Sequence, residues 1–160
     1  MNSSEPLEGN DLRFSRRAVL AAPLGMLAAC RRKKGTGFLG YAFVANEEGQ
    51  NIAAVDLTAF AVARHIPLDA KPSAVIAHPS KPLVYALTPN PLSIYEISVD
   101  TLKLLRRTRT AGKMAAVKCP AAGDALWLIT REPSQLVRLP LDRFQPSHKV
   151  ELPGEPELDY

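Results

Sequence analysis

Lys71, Lys113 and Glu155 stand 42 residues apart in this 160-residue chain. A fold that arrays its repeats around an axis would therefore bring two cations and one carboxylate to equivalent places, where they could hold a carboxylate, a phosphate or a polar chain end. The other reactive side chains form no catalytic set. His65, His78 and His148 fall at different points of the repeat and lack metal-ligand spacing. Cys119 has no histidine near it in sequence, and it reads as a small buried hydrophobe in the slot that Ala77 fills one repeat earlier. Glu47, Glu48, Glu155, Glu157 and Asp159 fall in expected turns, where solvated charge is the default. A glycine-rich phosphate loop, a nucleophile elbow and a zinc-binding pair are all missing from the sequence. The expectation is binding chemistry, with no catalytic residue, no metal and no cofactor.

What would position these residues is a gapless 42-residue repeat that starts near Phe43. Phe43-Val44-Ala45-Asn46, Tyr85-Ala86-Leu87-Thr88 and Trp127-Leu128-Ile129-Thr130 occupy one slot. Leu57-Thr58-Ala59-Phe60, Val99-Asp100-Thr101-Leu102 and Leu141-Asp142-Arg143-Phe144 occupy another. A period in the low forties with several short apolar runs suits one four-stranded propeller blade. A helical solenoid would need two amphipathic helices per unit, and prolines from Pro67 to Pro146 leave no room for them. Runs such as Ile94-Tyr95-Glu96-Ile97 alternate with a period near two, which puts alternate side chains on one face of a strand. The fold class expected is all-β: an incomplete β-propeller of about three four-stranded blades, near residues 39–80, 81–122 and 123–160.

The copies resemble the YVTN family of bacterial β-propeller repeats. Tyr85-Ala86-Leu87-Thr88 is close to the four letters that name the family, and Val55-Asp56-Leu57-Thr58 resembles its following strand and turn. The resemblance covers about residues 39 to 160. It implies an inner strand near Ser73 to Ala77, a second at Tyr85 to Thr88, a third at Ser93 to Val99 and an outer one around Lys103 to Thr108. It also implies that the segments entering the inner strands, with Lys71, Lys113 and Glu155, line the mouth of a central channel. The first copy opens on a second-type strand, Tyr41 to Asn46, with no inner strand before it. Closed propellers have roughly four to eight blades, so the expectation is either the front part of a longer propeller or a subunit that completes a ring with copies of itself or a protein partner. Trp127, in the aromatic slot, is expected to pack between blades, where its replacement by Ala would cost about 3–5 kcal/mol.

The N-terminus carries an address. Ser15-Arg16-Arg17-Ala18-Val19-Leu20 resembles the twin-arginine export motif, and Leu27-Ala28-Ala29-Cys30 resembles a bacterial lipobox. The apolar run Ala18 to Ala29 is too short to cross about 30 Å of hydrocarbon and suits a signal-peptide core. These resemblances imply a signal peptide at 1–29, a diacylglycerol on the Cys30 thiol, a basic tether at 30–36 and a folded part at 37–160. The small residues before Cys30 let a peptidase hold extended backbone. Arg31-Arg32-Lys33-Lys34 would then lie at headgroup level and add about 1 kcal/mol each on an anionic surface. The expected location is the periplasmic side of a bacterial cell envelope, lipid-anchored through Cys30.

The net charge is +4, and it stays so after cleavage because Arg13, Arg16 and Arg17 leave with Glu5, Glu8 and Asp11. Four basic residues of the tether account for it, so the blades are close to neutral and no nucleic-acid partner is expected. Arg106, Arg107 and Arg109 are expected to protect the edge of an outer strand. Two functional classes follow: a non-enzymatic, membrane-tethered binding or scaffolding module, or the N-terminal part of a propeller enzyme such as a lactonase-like hydrolase whose other blades carry the catalytic groups.

Overall fold

The apolar runs of the repeat form strands in the computed structural model, which describes residues 37–154. Three antiparallel meanders account for all eleven strands among the described residues. The first sheet holds β1 (Tyr41–Asn46), β2 (Asn51–Asp56) and β3 (Ala61–Pro67). The second holds β4 (Ala74–Ala77), β5 (Leu83–Pro89), β6 (Leu92–Ser98) and β7 (Lys103–Arg109). The third holds β8 (Lys113–Lys118), β9 (Ala125–Arg131), β10 (Gln135–Pro140) and β11 (His148–Glu151). Each strand of the second sheet lies where the resemblance puts it. Repeat and sheet are out of phase, because β4, the last strand of unit 39–80, pairs with β5 of the next unit. The first sheet accordingly has three described strands rather than four.

Side-chain alternation turns each sheet into a two-faced layer. Val84, Ala86, Tyr95 and Ile97 of the second sheet meet Ile52 and Ile66 of the first. Tyr85, Leu87 and Ile94 point the other way and meet Leu126, Leu128, Val137 and Leu139 of the third. Every residue of β6 is consequently buried.

The repeat persists in the turns. Thr88 Oγ1 donates to the Pro91 carbonyl at 2.7 Å, and Thr130 Oγ1, one repeat later, donates to that of Pro133 at 2.9 Å. Asn90-Pro91 and Glu132-Pro133 are both cis. Phe60, Leu102 and Phe144 share φ values of 50°, 52° and 54°, a left-handed conformation that bulky residues seldom adopt.

Trp127 departs from expectation: it is 38% exposed, whereas Tyr85 in the same slot is fully buried. The reason is directional. This slot faces the following sheet, so Tyr85 packs on the third sheet while Trp127 looks out from the last described one.

The first and second sheets are also joined by a polar link. Asp69, in the loop after β3, accepts from the Tyr95 hydroxyl and pairs with Arg107 and, at 3.1 Å, with Arg109. The Tyr95 hydrogen bond, assisted by Arg107, holds the Asp69 carboxyl below its ordinary range. A carboxyl depressed in the folded state contributes stability above its unfolded pKa of about 3.9, and that contribution disappears as pH falls through the lower folded value. Melting temperature followed below about pH 4 should therefore fall less steeply in Asp69→Asn than in the parent. Equal slopes would remove Asp69 from the acid response.

Candidate functional site

The sequence His78-Pro79-Ser80-Lys81-Pro82 between β4 and β5 cannot continue a ladder, since two prolines remove donors. Its histidine organises the turn instead. The backbone N–H groups of Ser80 and Lys81 both donate to His78 Nδ1 at 3.1 Å, which places the ring proton on Nε2. The ring is buried against Gly123 in the turn between β8 and β9. A Cβ at Gly123 would lie 2.6 Å from His78 Cε1, and φ there is +61°, so glycine is required on two counts. Two turns from neighbouring sheets are thereby locked together.

The turn between β10 and β11 completes a groove of about 450 Å³, lined by Lys81, Asp124, Arg138, Asp142, Arg143 and His148 among others. Arg138 on β10 pairs with Asp124 at 2.8 Å and holds that carboxyl below its ordinary range. Arg143 lies 3.8 Å from Asp142. The Lys81 ammonium has no ion-pair partner among the described residues, so three cations face two carboxylates and one positive charge is left over. His148 Nδ1 is 2.9 Å from Ser147 Oγ at the rim. The lining is chemically suited to an anion with hydrogen-bonding capacity.

The lysines singled out by their spacing lie elsewhere. Lys113 opens β8, at the strand end opposite the groove, and pairs with Glu132 at 2.7 Å. Lys71 is exposed in the loop before β4. Glu155, Cys30, Arg16 and Arg17 lie outside the described residues.

The arginines of β7 do more than guard an edge. Arg106 reaches inward, Nε and Nη2 donating to the two Glu96 carboxylate oxygens at 2.8 and 2.7 Å. It also donates to the Leu141 carbonyl at 2.9 Å, tying β7 to the turn that walls the groove. Cys119 is half-buried against the core between the second and third sheets, and burial pushes its thiol up, away from nucleophile chemistry. No three His, Cys, Asp or Glu side chains among the described residues are grouped to hold a metal ion.

No family model matches the chain, and no curated protein matches it in sequence. Solved structures do match. Hydrazine synthase of Kuenenia stuttgartiensis aligns with a TM-score of 0.66 at 12% identity, over 72% of this chain and 34% of that one. The WD40 domain of Toxoplasma gondii coronin aligns with a TM-score of 0.60 at 12% identity, over 69% and 30% of the two chains. The chain has a β-propeller fold. Dihydro-heme d1 dehydrogenase NirN, in complex with DHE, aligns with a TM-score of 0.61 at 17% identity, over 69% of this chain and 25% of that one. The described sheets are therefore propeller blades, and the chain spans a quarter to about a third of the length of these structures. At such identities the likeness concerns architecture alone, and propellers host unrelated functions.

Proposed function

We propose that this chain is an exported, lipid-anchored propeller module of the bacterial cell envelope that binds an anionic partner, such as an acidic peptide segment, without turning it over. The observation that carries the binding reading is the Lys81 ammonium, unpaired among the described residues, in a groove whose walls are fixed by the His78 turn and Gly123. Turns that are already ordered lose little on binding. Anchoring is supported by Leu27-Ala28-Ala29-Cys30 and the basic run after it, and export by Arg16-Arg17. A short acidic peptide needs no deep pocket, only a cation and donors around it.

The test uses the full chain in its membrane and an oligoglutamate peptide as the probe. Peptide binding is expected to weaken about tenfold, the equivalent of 1.4 kcal/mol, in Lys81→Glu. In Cys30→Ser the chain should leave the membrane fraction and stop incorporating labelled acyl chains, with the groove unaffected. Equal affinity in Lys81→Glu would end the binding reading, and acylation persisting in Cys30→Ser would end the anchoring one. Turnover of a lactone by the purified chain would favour the hydrolase reading instead.

A further inference from the structure

Two blade faces of the described residues have no sheet against them, and they are opposite halves of a contact that the repeat makes twice. At each, the aromatic slot of one blade and the left-handed turn residue of the next pack on the same core. Phe43 and Leu102 pack on the core between the first and second sheets. Tyr85 stacks on Phe144 between the second and third, with ring centroids 6.3 Å apart and an interplanar angle of 29°. The repeat contains one more member of each kind. Trp127 is the third aromatic slot, 38% exposed, and Phe60 is the third turn residue, 63% exposed. They sit on opposite outward faces of the three-sheet stack.

The surroundings match as well. An apolar cleft of about 250 Å³ beside Trp127 is lined by Pro120, Ile129 and Leu136 with Lys118 at its edge. On the Phe60 side Val44 is 50% exposed, although Ala86 and Leu128, one and two repeats on, are fully buried against a preceding sheet. Phe60 also keeps the positive φ that serves, at Leu102 and Phe144, to turn the side chain into the next contact. At Phe60 the same strain is retained while the ring faces solvent.

We propose that a second copy of the chain covers these faces, with Phe60 of one copy seated on Trp127 of the other as Phe144 is seated on Tyr85. The choice of occupant follows from the faces themselves: the surface that the Trp127 face needs is the one that this chain presents around Phe60. Such a contact is heterologous. Made twice between two copies it closes a ring of six sheets, three from each copy, within the roughly four to eight blades that propellers use. The proposal rests on these faces and is independent of anchoring and of the groove.

The experiment uses the full chain with Cys30→Ser and Cys119→Ala, so that no native thiol remains. Phe60→Cys is placed in one tagged preparation and Trp127→Cys in another. A short bismaleimide should join the two tags in the mixture and give no product with either preparation alone. Because Trp127 is the only tryptophan, its emission in the chain without these two thiol substitutions should shift to the blue as sedimentation shows monomer giving way to dimer. That readout needs no variant of the interface to fold. Phe60→Ala, its sheet content verified by circular dichroism, should weaken dimerisation by about tenfold or more. A chain that stays monomeric with unshifted emission would overturn the proposal in favour of a different occupant. A dimer that forms with unshifted emission, or that cross-links Phe60→Cys to itself, would overturn it in favour of a different surface.

Discussion

Replacing Tyr85 by Ala will destabilise the propeller blades by about 3–5 kcal/mol, the cost of emptying a large aromatic site in a packed core. The same truncation at Trp127, at a dilution where the chain is a single copy, will cost less, since a side chain 38% exposed leaves no closed cavity. The two residues share a repeat position, so only direction separates them: Tyr85 stacks on Phe144 of the third sheet, while Trp127 has no described sheet beyond it. Tyr85→Phe adds a test of sign. The phenolic oxygen is buried with no hydrogen-bond partner among the described residues, and burial, with Glu96 nearby, pushes the phenol well above its ordinary pKa. Removing a buried hydroxyl that bonds to nothing ends a desolvation cost, so Tyr85→Phe is expected to be neutral or stabilising. Denaturant unfolding of the three variants checks all of this. A Tyr85→Ala cost no larger than that of Trp127→Ala would mean that the aromatic slot is not an inter-blade core position.

Much of the fold was legible because the repeat fixes it three times over. Strand positions follow from alternation, since a misplaced register would turn Tyr85 and Val84 to each other's faces. The fate of Trp127 was hidden for the same reason. A repeat averages over copies, and burial at a repeat position depends on whether a neighbouring sheet exists. The groove was illegible in a different way. Lys81 and Gly123 occupy the same repeat position, one lending a charge and the other clearing space for His78. Asp124, Arg138, Arg143 and His148 have no counterparts of like chemistry one repeat earlier, where Pro82, Glu96, Thr101 and Arg106 stand. The groove therefore lies where the copies differ, whereas the lysine pair found by spacing lies where they agree. The one local signal was His78 ahead of Pro79 and Pro82, a turn that needs an internal acceptor to be rigid.

Arg106 joins the buried architecture to the groove, and its removal is the second large effect expected. Glu96 is only 4% exposed, and both of its carboxylate oxygens are bound by the Arg106 fork. Those hydrogen bonds hold the guanidinium above its ordinary pKa, so it is charged at every pH at which the protein folds. Arg106→Ala strands a buried carboxylate and frees the carbonyls of Leu141 and Asp142, which had accepted at 2.9 and 3.2 Å. It also uncovers the Phe144 ring, over which the guanidinium carbon sits at 4.7 Å. Breaking a fully buried pair costs about 3–5 kcal/mol, and because the arginine side chain is 40% exposed we expect the lower figure of about 2–3 kcal/mol. Replacing both partners by Met should recover most of that loss, since no charge is then left in the core. The groove should report the change independently. Leu141 and Asp142 belong to its wall, so freeing their carbonyls lets the turn between β10 and β11 drift, and oligoglutamate affinity should fall in the double Met variant even where stability has returned. If stability and affinity recover together, Arg106 acts only through Glu96, and the groove wall is held by the His78 and Gly123 turns alone.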